Sequence, residues 1–379
     1  MIKVMTVFGT RPEAIKMCPL VKELESREEI QSLVCVTAQH RQMLDQVLKL
    51  FAVTPDYDLN IMRDRQTLTG ITVRALEGLE QVLEEAKPDL VLVHGDTTTT
   101  FAGSLAAYYH QIAVGHVEAG LRTYQKYFPF PEEMNRRMTG AIADLHFSPT
   151  VSNRENLLRE NVSEDQIFIT GNTAIDALKT TVREDYQFQT PALQTVDFSR
   201  RVIVMTAHRR ENLGKPLEQI CRAVLRVAKE FPDVTVIYPV HLNPRVRETA
   251  FSILGRQENI MLIDPLDVEE LHNLMARCCF LLTDSGGIQE EAPALGKPVL
   301  VLRNETERPE AVAAGTVRIA GCNEEQVYQM TVQLLEDQES YQAMSHAVNP
   351  YGDGTASRRI ADAILYHFGK AQRPEDFQA

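Results

Sequence analysis

Several absences narrow what this 379-residue chain can do. It has no C-x-x-C. Its six cysteines, Cys18, Cys35, Cys221, the adjacent Cys278 and Cys279, and Cys322, mostly sit in apolar runs. That pattern argues for buried, reduced thiols in a cytosolic protein rather than a disulfide framework. It has no G-x-G-x-x-G turn and no P-loop; Gly296-Lys297 is followed by Pro298 where Ser or Thr would be needed. A nicotinamide or ATP cofactor therefore has no support. Positive charge is scarce, with 39 Lys and Arg against 52 Asp and Glu and a net charge of −13. Nucleic acid and anionic membrane are poor partners for such a surface. The longest uncharged stretch, residues 97–117, carries four threonines, Ser104, His110 and Gln111. It suits a buried helix and strand better than a membrane span. The first eight residues are too short for a signal h-region, and the default location is the cytoplasm. No short repeat or low-complexity tract occurs.

Hydrophobic content of 44% and charged content of 24% fit a globular protein, and the length favours two domains. Short apolar runs alternate with helical patterns along the chain. Strands are expected at 2–8, 32–37, 89–94, 112–118, 145–148 and 167–170. After a candidate hinge, Gly171-Asn172-Thr173, they resume at 202–206, 235–238, 260–263, around 280 and at 299–302. Helical spacing lies between them, and residues 186–200 read as a loosely structured insertion. Tyr351-Gly352-Asp353-Gly354 breaks the chain before a last helix at 356–368. Strands this apolar, separated by helices, imply parallel sheets covered on both faces. The fold class is α/β, two Rossmann-like doubly wound domains, and ligands of such sheets bind beyond the strands' carboxyl ends.

Most polar clusters fall at those strand ends. Asp284-Ser285-Gly286-Gly287-Ile288-Gln289-Glu290-Glu291 joins a strand to a helix through two glycines. The first turn of such a helix presents unpaired N–H groups and partial positive charge, a seat for an anion. A plain capped turn, with Ser285 as N-cap, explains the same residues. Glu291, one turn on, could reach a sugar hydroxyl. Gly9-Thr10-Arg11-Pro12-Glu13-Ala14-Ile15-Lys16 places Arg11 and Lys16 around a helix start, either for a phosphate or for solvent. Thr206-Ala207-His208-Arg209-Arg210-Glu211-Asn212 is either a solvated patch or, with Arg308, a further set of groups able to neutralise a diphosphate.

A different chemistry follows three other strands or turns. His94-Gly95-Asp96 and His116-Val117-Glu118 each release a carboxylate at the same sheet edge, and Pro131-Glu132-Glu133-Met134-Asn135-Arg136 adds a third. With His94 and His116 they could bind a metal. Alternatively they are acids and bases whose pKa values are separated by burial and mutual repulsion.

In order along the chain, these stretches resemble the non-hydrolysing UDP-N-acetylglucosamine 2-epimerases of bacteria, and the resemblance covers nearly the whole sequence. It implies the GT-B architecture, with an active site in the cleft between two Rossmann-like domains. Residues 1–171, completed by 355–379, would form the carboxylate-bearing domain, and 172–354 the UDP-binding one. It implies interconversion of UDP-GlcNAc and UDP-ManNAc through 2-acetamidoglucal, without NAD or a required metal, in a homodimer. Asp96, Glu118 and Glu132 would carry proton transfers. His208, Arg11 and the Ser285-Gly286-Gly287 backbone would hold the diphosphate, with Lys16, Arg136 and Arg308 contributing. Glu291 would take the ribose, and Leu271 and Leu266 would lie by the uracil. A second UDP-GlcNAc, acting as activator, would meet Gln39, His40, Gln42, Arg65, Gln66 and Arg209. A GT-B glycosyltransferase using a UDP-sugar, or a non-catalytic sugar-nucleotide sensor, are the alternatives.

Overall fold

The computed structural model describes residues 1–38, 41–63 and 66–379, apart from the side chains of Arg41 and Gln42. Contacts divide the chain into two units, Met1–Thr180 with Tyr351–Gln378, and Thr181–Pro350. The first holds strands β1 (Ile2–Phe8), β2 (Ile30–Val36), β3 (Tyr57–Asp58), β4 (Leu90–His94), β5 (Ala113–Val117), β6 (Leu145–Ser148) and β7 (Ile167–Ile169). They form one parallel sheet in the order β3-β2-β1-β4-β5-β6-β7. The second holds β8 (Arg201–Thr206), β9 (Val234–Pro239), β10 (Ile260–Ile263), β11 (Phe280–Thr283), β12 (Val299–Val301) and β13 (Val317–Ile319), ordered β10-β9-β8-β11-β12-β13 and again parallel. Two doubly wound units are what continuous apolar strands predict. Val4, Met5, Val7 and Phe8 of β1 are fully buried, as are Ile203, Val204 and Met205 of β8.

The order reverses once in each sheet, between β1 and β4 and between β8 and β11. Loops leaving those neighbours diverge to opposite faces and open a crevice, where ligands of such sheets bind. In the first unit Glu13 ties the two loops together. Its carboxylate accepts from the Gly9 and Thr10 N–H groups at 3.1 and 2.7 Å, and from the Thr97 hydroxyl at 2.7 Å. Gly9 is required there, since a Cβ would stand 1.9 Å from the Thr37 hydroxyl oxygen.

The last helix, Ala356–His367, packs Ile360, Ala361 and Ile364 into the core that also contains Met17, Leu20 and Leu24 of helix Arg11–Glu25. Its N-terminus is capped by Asp176, whose carboxylate accepts from Ser357 N at 2.7 Å and Ala356 N at 3.2 Å. Asp176 lies on helix Thr173–Thr181, so nearly all of that helix sits in the first unit rather than beyond a boundary at 171/172.

Residues 186–200 are better anchored than a loose insertion. Tyr186, Phe188 and Leu193 are buried, Arg277 lies over the Phe188 ring, and the buried Glu270 carboxylate accepts from the N–H groups of Gln189 and Thr190 at 2.7 and 2.8 Å. The strand Val317–Ile319 and the helices Pro309–Ala314, Glu324–Glu336 and Gln338–Ser345 fill the span between β12 and the final helix, where sequence periodicity is weak.

Candidate functional site

The crevice of the first unit collects carboxylates. Asp96 follows β4, and its carboxylate accepts from the Arg136 guanidinium, while Asn135 Nδ2 donates to its backbone oxygen at 2.9 Å. These two contacts bring helix Glu132–Ile142, and with it Glu132, to the β4 end. The two adjacent glutamates then part company. Glu133 is fully buried and accepts from the Thr123 and Tyr124 N–H groups, each at 3.0 Å, so it clamps the preceding loop. Glu132 keeps one buried carboxylate oxygen with no hydrogen-bond partner among the described residues. A buried acceptor without a donor is costly for stability.

Glu118 follows β5 in the left-handed region, φ +62°, a conformation disfavoured for a side chain of its kind. Its carboxylate pairs with the Lys16 ammonium, accepts from Asn172 Nδ2 at 3.0 Å, and lies 3.5 Å from His94 Nε2. Lys16, expected by the diphosphate, thus sits on a carboxylate in this structure. Burial pushes His94 down to about 4, with Glu118 opposing and Lys16 assisting. His116 donates through Nε2 to the Gly95 carbonyl at 2.7 Å, and burial pushes it down to about 3. Both imidazoles are therefore neutral at pH 7. Among the described residues, no three His, Cys, Asp or Glu side chains converge as a metal centre requires.

The crevice of the second unit collects donors and cations. Ser285 stands at the N-cap of helix Gly286–Ala294, yet its side chain makes no capping hydrogen bond. The first-turn N–H groups consequently face outward. A Cβ on Gly286 would lie 3.7 Å from Arg308 Nη2 and 3.8 Å from Arg209 Nη2, so two guanidiniums flank that turn. Arg308 is aimed by Glu290, whose buried carboxylate accepts from its Nε. Thr306 donates to Gln289 at 2.6 Å and fixes the loop that carries Arg308.

Asp284, fully buried, organises the other side. One carboxylate oxygen accepts from the N–H groups of His208 and Arg209 at 2.7 and 2.8 Å and from Asn212 Nδ2 at 2.9 Å. The second lies 3.3 Å from His208 Nδ1. Burial lowers the His208 pKa and Asp284 opposes that shift. Arg11, Asp96 and Glu118 belong to one unit and His208, Ser285 and Arg308 to the other. Taken separately, the cations and open N–H groups of the second unit suit an anion, and the carboxylates of the first suit proton exchange.

A sequence profile of the family described as UDP-N-acetylglucosamine 2-epimerase matches residues 22–365. The UDP-N-acetylglucosamine 2-epimerase of Bacillus subtilis is 62% identical over 377 residues, covering 99% of this chain and 98% of that protein. The chain belongs to the UDP-N-acetylglucosamine 2-epimerase family. The Escherichia coli epimerase is 55% identical, across 96% of this chain and 98% of its own. The crystal structure of the Neisseria meningitidis UDP-GlcNAc 2-epimerase bound to UDP-GlcNAc superposes with a TM-score of 0.87 at 50% identity, covering 96% of this chain and all of that one.

Set against this epimerase family, the remaining candidates fall in several places. Glu291 has one oxygen 3.5 Å from Nε2 of the buried His272, whose Nδ1 is 2.7 Å from the Thr181 hydroxyl. Leu266 is buried before helix Val268–Arg277, and Leu271, in its first turn, spends its N–H on the Asp267 carbonyl at 3.0 Å. Of the activator candidates, Gln39, His40 and Arg65 lie outside the described residues, as does the Gln42 side chain. Gln66 accepts from Arg74 at 3.1 Å, and Arg209 lies by Gly286. His272 and Asn172 were missed from sequence. Asn172 could have been found, since it stands three residues beyond the end of β7, where the strand-end rule applies.

Proposed function

We propose that this epimerase interconverts UDP-GlcNAc and UDP-ManNAc by elimination and re-addition of UDP. The C2 hydrogen is not acidic, so its removal needs help from C1. The C1–O bond breaks with its electron pair leaving on the UDP oxygen. C1 gains oxocarbenium character and C2–H is lost to a carboxylate. The products are 2-acetamidoglucal and UDP held in place. Return of UDP to C1, with protonation of C2 on the other face, gives the epimer. The cycle is redox-neutral, so the chemistry calls for no hydride carrier.

The observation that carries this proposal is the gathering of Asp96, Glu118 and Glu132 at one sheet edge, with one Glu132 oxygen and most of the Glu118 side chain buried. Even with Arg136 and Lys16 paired to two of them, three carboxylates together are hard to explain in a sensor or in a donor site for glycosyl transfer. In the proposed roles they carry the two proton transfers. Arg11, His208, Arg308 and the backbone of Ser285, Gly286 and Gly287 stabilise the departing diphosphate, whose charge grows towards the transition state. Glu291 takes the ribose, and Arg136 holds Asp96. Turnover in deuterated water tests the scheme: deuterium should enter C2 of the product, and product with no label at C2 would sink it. Free ManNAc or stoichiometric UDP among the products would instead favour hydrolysis or transfer.

The proposal extends to a homodimer working in the cytoplasm and to activation by a second UDP-GlcNAc at Gln39, His40, Gln42, Arg65, Gln66 and Arg209. Rate against UDP-GlcNAc concentration should then be sigmoidal, and Arg65→Ala should make it hyperbolic.

A further inference from the structure

Asn172 follows β7 and precedes helix Thr173–Thr181, and every polar group it carries is engaged. Its backbone N–H donates to the Tyr351 carbonyl at 2.7 Å, its Oδ1 accepts from Ala174 N at 2.9 Å, and its Nδ2 donates to Glu118 Oε1 at 3.0 Å. Only an amide oxygen can accept from Ala174 and only an amide nitrogen can donate to a carboxylate, so the two contacts fix the side chain's orientation. Asn172 is almost fully buried. Its main chain is pinned as well. Gly171, at φ +81°, crosses Gly352 so closely that a Cβ on Gly171 would stand 3.1 Å from Gly352 Cα.

We infer that Asn172 is a positioning residue for the epimerase reaction, holding the Glu118 carboxylate in its ionised form and aiming it from a rigid crossing of the chain. The inference rests on the proposed role of Glu118 in proton transfer at C2. A carboxylate held in a left-handed backbone conformation at a sheet edge needs its side chain fixed from more than one direction. Here Lys16 reaches it from helix Arg11–Glu25, His94 from β4, and Asn172 from the β7 end. The His94 imidazole is neutral, so Lys16 supplies the charge and Asn172 supplies a directed N–H without altering the charge balance. A neutral donor stabilises the carboxylate less than a second cation would, which leaves it basic enough to take a proton from carbon.

Asn172→Asp tests this directly. Aspartate keeps an oxygen for Ala174 N and nearly the same volume, but sets a carboxylate against Glu118 where a donor had been. In whichever direction Glu118 removes the C2 proton, the acid limb of kcat/KM should move up by about one pH unit or more, roughly a tenfold loss on that limb. The Kd for UDP should stay within about threefold, and added alkali should recover turnover. Asn172→Ser retains a short cap acceptor and loses the reach to Glu118. It should lower kcat with little change in KM, and it serves as the probe if the aspartate variant does not fold. An acid limb unmoved in Asn172→Asp, with kcat normal in Asn172→Ser, overturns the inference. Loss of the Glu118 assignment gives a different result, since Glu118→Gln would then retain exchange of the C2 hydrogen with deuterated water.

Discussion

The two crevices have the same topology and opposite chemistry. Each lies where a parallel sheet reverses its order, between β1 and β4 in one unit and between β8 and β11 in the other. The first is lined by Asp96, Glu118 and Glu132, with imidazoles that burial keeps neutral. The second has an uncapped helix start flanked by Arg209 and Arg308, with His208 set on Asp284. The fold supplies a place for a ligand in both, and the side chains released at the strand ends decide what happens there. A test that damages one property and spares the other sharpens that contrast, and one that damages both alike would break it.

The largest effect is expected from the first crevice. Glu118→Gln should cut turnover by about 10²–10⁴-fold, the usual contribution of a positioned acid or base. The UDP affinity measured by calorimetry should hardly change, because the diphosphate is proposed to sit on Arg11 and on groups of the other unit, not on Glu118. Glu132→Gln should behave in the same way. Comparable loss of turnover and of UDP binding would mean that the two crevices are not divided as described.

The second crevice should respond in the other sense. Arg308→Ala removes a guanidinium from beside Gly286 and takes one donor away from the buried Glu290 carboxylate. The Kd for UDP should rise about tenfold to a hundredfold, in the range of lost charge-assisted hydrogen bonds, and turnover should fall with it. His208→Ala should act alike.

Acid should weigh more on the first unit, which holds three histidines lowered by burial against His208 in the second. His94, His116 and His146, all in the first unit, are pushed down by burial to about 4, 3 and 4. An unfolded chain protonates these sites near 6.5 and the folded one does so only well below that. Their contribution is therefore full above pH 6.5 and is lost as pH falls towards 4. Glu13 and Asp176, raised by burial, work in the opposite sense because the folded state protonates them first. His116→Gln keeps a donor for the Gly95 carbonyl. It should flatten the fall in urea stability between pH 6.5 and 4 by up to one proton, about 1.4 kcal/mol per pH unit.

How much of this was legible in the sequence depends on the scale of the feature. The strands were readable because burial on both faces leaves them no polar alternation, and β6 and β10 fall on the expected residues. Helix Thr173–Thr181 was not, because Gly171 and Asn172 read as a hinge. Only the approach of Gly352 shows that they form a tight crossing. Glu132 and Glu133 are equivalent as letters; the loop N–H groups of Thr123 and Tyr124 distinguish them. The contact of Lys16 with Glu118 joins residues 102 apart in sequence, and local pattern cannot convey it.

The smallest effects make the sharpest comparison, because Thr97 and Ser285 occupy matching places after β4 and β11. Both are N-caps by backbone conformation, with ψ of 167° and 130°. Thr97 caps in fact: its hydroxyl oxygen accepts from Thr100 N at 3.1 Å and its hydroxyl donates to Glu13. Ser285 does not, since its side chain leaves the helix N-terminus open. Thr97→Ala should therefore cost about 1 kcal/mol of stability, while Ser285→Ala should stay within a few tenths. In the presence of UDP the Ser285→Ala protein should gain nearly as much thermal stability as the parent, because the proposed diphosphate contact is through the backbone. Equal losses in the two variants would mean that Ser285 is an ordinary cap and that the second crevice has no open helix start to offer an anion.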